Sequence, residues 1–462
     1  MVLLSLLPAL LLAHLLLPPF ADYIGATIQL NLQSRAVFCP GALVFAVSVS
    51  LLAGSWPAFV ISAFKPTQNM KGNSPARQGR FTWGNALIVF QFTVSMLFII
   101  CTLVTTRQLR YIQTKNTGLQ RSQIVVLDGD MLSDNDRSTL KNKLLALPAI
   151  SGFSASYDSP VNIQGGYNVN RAEGKSADFE LSVTAIPIEK DFVSVFEIPI
   201  LAGSDLTDQD IARARDTTDA RSYSFVVNQR FVQALQWTPE TAIGKQIDLN
   251  GRKGQIKAVV RDFNFASLRE DIQPVVLFPE YNYFGNVFVK VASGSQMPQA
   301  LDRIQGVWKE VKPQTPFQYH FLDDDFADLY QHEQQTSRTM FLFSFITIGI
   351  ACMGLFALAA FQAQRRVKEI GIRKVLGASV GKIVFLLTTD FVKMVAIALL
   401  LAIPVGWWIM QHWLDNFAYR IHVEWWIFAA AGILSVAVAL LTISGQAIRA
   451  ARTNPVKSLR RE

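Results

Sequence analysis

The stretch Gly377-Ala-Ser-Val-Gly-Lys-Ile383 sets two glycines, a serine and a lysine close together, much as a loop that cradles nucleotide phosphates does. Such a loop needs four residues between its glycines and a Ser or Thr after the lysine to hold magnesium. Here three residues separate the glycines, Ile383 follows the lysine, and no strand-like run leads in. The chain is therefore not expected to hydrolyse ATP. The histidines His14, His320, His332, His412 and His422 stand apart, with no HExxH or His/Cys spacing for zinc. No nucleophile elbow is expected either, because no strand-like run leads into the Gly-x-Ser-x-Gly spacing of Gly377-Ala-Ser-Val-Gly381. Cys39, Cys101 and Cys352 form no metal or disulfide framework, and two of them fall in apolar runs. An enzyme is not expected, nor any cofactor or metal.

The same glycines belong to a basic segment, 363–382, between two long apolar runs. Arg365, Arg366, Lys368, Arg373, Lys374 and Lys382 face one acid, Glu369. Apolar flanks on both sides would hold such a segment in the cytoplasm by the positive-inside bias. At about 100° per residue, Val367, Ile370 and Val375 share one side, while Ile372 and Leu376 point elsewhere, which suggests two neighbours. Gly371 and Gly377 allow close approach or a break between helices, and Ser379 can cap the next helix. Read from composition alone, the segment is an ordinary loop whose charges fix orientation.

What must position it is a membrane bundle. Half of the 462 residues are hydrophobic and 17% are charged, too apolar for a soluble protein. Six runs reach the roughly 20 residues that cross a bilayer core, near 1–20, 41–62, 85–106, 339–361, 391–411 and 425–445. Met1–Phe20 lacks a charged n-region and a cleavage site, so it reads as a span. Basic loops follow the second, fourth and sixth runs and belong inside. The opposite side receives 21–40, 412–424 and 107–338. Trp407, Trp408, Trp413, Trp425 and Trp426 then form an interfacial belt at the outer ends of the last two spans. Asp390 and Lys393 lie at the inner end of the fifth. The net charge of +8 is explained by these loops, and no aromatic-interleaved patch points to nucleic acid.

Residues 107–338 read as a mixed α/β domain, about 230 residues long, in two lobes. Gln123–Leu127, Phe179–Ile188 and Ser224–Asn228 are expected strands. Gly244–Phe263 is an expected hairpin turning at Asn250-Gly251, and Val287–Val291 an expected buried strand. After a Ser295 cap, Met297, Leu301, Ile304, Trp308 and Val311 repeat at helical spacing. Pro160–Gly174 reads as a solvated insertion or a tip loop that meets a partner. Arg107–Lys115 and Asp325–Arg338 are expected to continue spans three and four outward as stiff helices. Asp323, Asp324 and Asp325 suit the N-terminus of the second.

The run Arg366-Val-Lys-Glu-Ile-Gly-Ile-Arg-Lys-Val-Leu-Gly-Ala-Ser379 resembles the signature loop of MacB/FtsX-type ABC transporter permeases. Phe196–Gly203, Val227–Phe231, Ala242–Lys245 and Val259–Leu268 resemble runs of the MacB-type periplasmic core domain, in the family order. Asn454-Pro-Val-Lys-Ser-Leu459 closes the match. The resemblance implies a membrane α-helical bundle of about six spans plus a mixed α/β extracytoplasmic domain, in a multi-pass protein of the bacterial inner membrane. The layout it implies is 1–62, two spans ending a first permease half; 63–84, a cytoplasmic linker; 85–106, a span; 107–338, the periplasmic core domain; and 339–462, the FtsX-like permease domain. Pro66–Lys71 follows the second span much as Pro455–Arg460 follows the sixth, so the chain is expected to lack the front of a duplicated permease.

The implied mechanism is mechanotransmission for export or extraction of a substrate. A separate ATPase subunit, which alone binds ATP, would dock on Arg366, Lys368, Glu369, Arg373 and Lys374 by charge. Ile370, Leu376, Gly371 and Gly377 would fit its groove. A second permease half or a homodimer, membrane lipids and a periplasmic partner complete the expected partners. The alternatives are a membrane-anchored sensor with a periplasmic ligand-binding domain, or an inactive truncated permease.

Overall fold

The computed structural model describes residues 2–25, 40–41, 43–51, 54–55, 83–218, 221–280, 284–365 and 367–452. Five helices among them are long and apolar enough to cross a bilayer: Ser5–Ile24, Gly84–Thr114, Gln331–Gln362, Val384–Leu414 and Trp425–Gln446. A helix is what an apolar run of this length must form in lipid, because it satisfies every backbone donor and acceptor internally. Of the run expected at 41–62, residues 41, 43–51 and 54–55 are described and helical, and the others lie outside the described residues.

The chain divides into two compact units. One gathers Met1–Arg107, His332–Trp413 and His422–Glu462. Within it the helix Trp83–Thr114 is the most enclosed span. Antiparallel to Gln331–Arg365, it pairs Phe98 with Phe343 (ring centroids 5.9 Å apart), Thr102 Oγ1 with Ser344 Oγ (3.2 Å) and Thr106 Oγ1 with Ser337 Oγ (3.3 Å). Gly354 lies under Gln91, where a Cβ would come within 2.8 Å of the Gln91 Oε1 atom, so the small residue permits the close approach. Gly406 of Val380–Leu414 packs beside Ile100 and Leu97, and Gly432 of Trp425–Arg452 beside Leu399.

The other unit, Gln108–Gln331 with Leu414–Ile421, holds a sheet of eleven strands. In chain order these are β1 Ile124–Asp128, β2 Ile150–Ser156, β3 Gly166–Ala172, β4 Leu181–Ile188, β5 Ile200–Gly203 and β6 Tyr223–Asn228. They continue as β7 Gln246–Leu249, β8 Arg252–Val260, β9 Val275–Pro279, β10 Asn286–Val291 and β11 Tyr319–Phe321. The order β11-β1-β10-β2 makes an antiparallel lobe. Val125, Leu127, Phe153, Val287 and Val289 of one face pack on Leu140 and Leu144 of the helix Asp134–Leu145 and on Ile304 and Trp308 of Met297–Val311. Full burial of a side chain such as Ile304 stabilises this lobe by about 1.5–3 kcal/mol.

β4 pairs with β3 on one side and β9 on the other, and β9 runs on through β6, β8 and β7 back to β3. Six strands thus close on themselves, which removes their free edges. Val169, Val183, Phe225, Ile256, Val276 and Phe278 belong to the core of this second lobe. A single pairing, Ser156 with Ile188, joins the two lobes.

The two-lobed α/β reading, the hairpin turn and the Met297–Val311 helix agree with this architecture. Asn250 and Gly251 take φ of 48° and 84°, the left-handed pair a two-residue hairpin turn requires. Three expectations are corrected. Pro160–Gly174 is no solvated insertion, because its second half is β3, a member of the closed ring. The cap before Met297 is Gln296, without a side-chain cap bond, and not Ser295. Asp325–Arg338 is also not one helix. Leu322–Asp328 ends, Leu329 and Tyr330 intervene, and Gln331–Arg365 begins, because the Tyr330 ring is buried against Phe326 at 5.3 Å.

Candidate coupling surface

Residues Val367–Val375 form a short helix between two spans. It stops at Gly377, whose φ of +86° lets the Ala378 N–H reach the Arg373 carbonyl at 2.9 Å while the Leu376 N–H bonds Ile372 at 3.0 Å. This left-handed stop satisfies carbonyls that a helix end otherwise leaves bare. The next helix starts at once, with the Lys382 N–H donating to the Ser379 hydroxyl at 3.3 Å.

Arg373 pairs with Glu369 at 2.8 Å across one turn, both half exposed. Leu376 is 80% exposed, with Val375 and Ile372 exposed beside it. Ile370 is only 5% exposed. The reading that placed Ile370 and Val375 on one side, with Ile370 free for a groove, is corrected: Ile370 packs inside the chain, and the apolar edge offered outward is Ile372, Val375 and Leu376. Arg373, Leu376, Gly377, Ser379 and Lys382 line a shallow hollow there. Arg366 lies outside the described residues, and Lys368, Gly371 and Lys374 are placed by their helical backbone alone.

A second arrangement sits in the polar unit, where three chain segments meet. The side chain of Gln108, fully buried, donates from Nε2 to the Tyr419 carbonyl at 2.8 Å and accepts at Oε1 from the Ile421 N–H at 3.0 Å. The same outer segment pairs with 268–269, Ala418 N–H to Arg269 O at 3.1 Å and Tyr419 N–H to Leu268 O at 3.2 Å. The Leu268 N–H in turn donates to the Tyr330 hydroxyl at 2.7 Å. Asp262 and Asn228 shape the loop that carries Leu268. Asp262 Oδ1 accepts from the Arg230 N–H at 2.8 Å, and buried Asn228 accepts from Phe231 and Val275 N–H groups while donating to Gln273 O. The linker after the Trp83–Thr114 helix is pinned to the same loop, with the Asn264 N–H bonded to Thr117 O at 2.8 Å.

Two family models match in succession along the chain, the MacB-like periplasmic core domain over residues 86–307 and the FtsX-like permease C-terminal over 341–455. The chain belongs to the MacB/FtsX-type ABC transporter permeases. It is a transporter permease component with a membrane α-helical bundle and an α/β domain of periplasmic type. Permeases of this type work with ABC ATPase partners.

The permease is similar to the periplasmic region of MacB from Actinobacillus actinomycetemcomitans, at 15% identity and a TM-score of 0.33 over 47% of this chain and 97% of that one. It is also similar to the extracellular domain of the noncanonic ABC-type transporter YknZ from Gram-positive bacteria, at 12% identity and a TM-score of 0.30 over 43% and 98%. No curated protein matches it.

Several residues of the permease that hold its outer segments together escape a sequence reading. Gln108 looks like an ordinary polar residue at a span's end, and Leu414–Ile421 looks like a short outer loop; only the fold brings them together. The one visible signal was the family run Val259–Leu268, whose Asp262 and Leu268 prove to be structural hubs. Asp323, Asp324 and Asp325 each have a protein partner: Arg121 at 3.7 Å, the Phe321 N–H at 3.3 Å, and His320 Nε2 at 2.8 Å with Ser159 Oγ at 2.7 Å.

Proposed function

We propose that the permease couples ATP hydrolysis by a separate ATPase subunit to movement of its periplasmic core domain, for export or extraction of a substrate. It sits in the bacterial inner membrane with the α/β unit in the periplasm. The ATPase docks on the 363–382 elbow, Arg366, Lys368, Glu369, Arg373 and Lys374 setting the charge and Ile372, Val375 and Leu376 entering an apolar groove. A second permease half or a second copy completes the assembly. The spans Trp83–Thr114 and Gln331–Arg365 relay the displacement outward, where a periplasmic partner receives it. Nucleotide is bound by the partner subunit.

The observation that carries this reading is Leu376, a large apolar side chain left 80% exposed at the end of a helix stopped by Gly377. With the cognate ATPase in reconstituted membranes, Leu376→Asp is expected to abolish stimulation of ATP hydrolysis without lowering the thermal stability of the permease. Stimulation that survives this change would sink the docking role.

A further inference from the structure

A half-open hollow of about 480 Å³ lies in the polar unit beside Lys115, the residue that follows the Trp83–Thr114 helix. Its size falls within the roughly 300–1,000 Å³ of small-ligand sites. Two acids line it, and both are engaged elsewhere: Glu197 with Lys290 at 2.7 Å, and Asp262 with the Arg230 N–H at 2.8 Å. Two cations line it without an acid. Among the described residues the Lys115 ammonium meets neutral groups, the Tyr111 hydroxyl at 3.2 Å and the Tyr419 ring at 4.1 Å. The Arg261 side chain has no hydrogen-bond or ion-pair partner among the described residues.

The lining also contains two buried polar side chains without partners among the described residues. Thr117 is 3% exposed and its sealed Oγ1 bonds nothing, while Asn264 is 6% exposed as a residue and its carboxamide, which is not sealed from the hollow, makes no hydrogen bond. Native proteins rarely leave a sealed hydroxyl such as that of Thr117 unsatisfied, and a bound ligand is one standard resolution.

We propose that this hollow binds a phosphate-type oxyanion. Arg261 and Lys115 supply the charge, the first able to fork onto two oxygens, and Thr117 and Asn264 supply neutral hydrogen bonds below. The anion is either free phosphate or the phosphodiester of a lipid headgroup, since Lys115 stands immediately past a helix long and apolar enough to span the bilayer.

The test uses the full chain in detergent, titrated with inorganic phosphate by calorimetry. In parallel, native mass spectrometry scores retention of phosphatidylglycerol against phosphatidylcholine. Phosphate binding supports the free anion; preferential retention of phosphatidylglycerol without phosphate binding supports the headgroup. In either arm, Arg261→Gln together with Lys115→Gln is expected to weaken binding about tenfold or more. Arg261 is exposed, so Arg261→Gln alone keeps the fold and still lowers affinity. Asn264→Leu, checked by its melting curve, blocks the lower contacts. Absence of binding to both probes, or equal binding by wild type and Arg261→Gln, overturns the proposal.

Discussion

The Gln108 carboxamide bonds the backbone on both sides of Arg420, donating to Tyr419 O at 2.8 Å and accepting from Ile421 N–H at 3.0 Å. One side chain thus pairs with the outer segment 418–421 as a neighbouring strand would. Through Leu268 and the Tyr330 hydroxyl, this segment is tied to the chain just before Gln331–Arg365. Any displacement of one outer segment is therefore felt by the other two.

Gln108→Leu keeps the volume and removes both bonds, leaving a buried carbonyl and N–H to desolvate. A loss of about 1–3 kcal/mol is expected, read as a lower melting temperature of the full chain. Gln108→Glu keeps only the acceptor and should also be destabilising. A melting curve of Gln108→Leu that superposes on wild type would show the clamp to be dispensable.

The antiparallel pairing of the spans Trp83–Thr114 and Gln331–Arg365 is testable by cross-linking. With Cys39, Cys101 and Cys352 replaced by alanine, Thr102→Cys with Ser344→Cys should form a disulfide under mild oxidation, since the native hydroxyls lie 3.2 Å apart. Loss of maleimide labelling on oxidation is the readout. Thr102→Cys with Thr347→Cys, nearly a turn away, should stay labelled.

Asp210 is buried beneath β6, where it accepts from Ser224 Oγ at 2.6 Å and from the Thr207 N–H at 2.8 Å, and pairs with Lys257 at 3.0 Å. Burial pushes its carboxyl up, but these hydrogen bonds together outweigh burial and hold it down at about 2. A depressed folded value means that its contribution is fully present above the unfolded value near 3.8 and is lost as pH falls toward 2. Asp210→Asn should lower stability by about 2–3 kcal/mol at neutral pH and flatten the acid limb of a melting-temperature profile. A parallel profile for the variant would contradict this assignment.

Among the described residues nothing lies within 4 Å of where a Cβ on Gly377 would sit, so it is the φ of +86° that resists substitution. Gly377→Ala is expected to cost about 1–2 kcal/mol at the helix stop and to reduce ATPase stimulation severalfold, whereas Gly377→Asn, which tolerates this conformation, retains most of it. Equal stimulation by the alanine and asparagine variants would separate coupling from the left-handed stop.

Some of this was legible because it is local. Apolar runs long enough to cross a bilayer, the Asn250-Gly251 turn and the helical spacing from Met297 to Val311 are decided by near neighbours in the chain. β3 was not legible: Gly-Tyr-Asn-Val-Asn-Arg-Ala carries half its pattern in polar residues, and its strand state depends on pairing with β4 and β7. Ile370 was misjudged at the elbow for a related reason. Helical periodicity says which residues share a face and is silent about which face another element covers.

The order of apolar and polar segments along the chain, together with the family run from Arg366 to Ser379, sufficed by itself for a permease with an α/β domain. Those features are written in consecutive residues, and lipid or water selects their structure directly. Closure of six strands into a ring, the seating of 418–421 on Gln108 and Leu268, and the outward edge of Ile372, Val375 and Leu376 were settled only in three dimensions. Each depends on contacts between residues tens to hundreds of positions apart, whose partners no local pattern names.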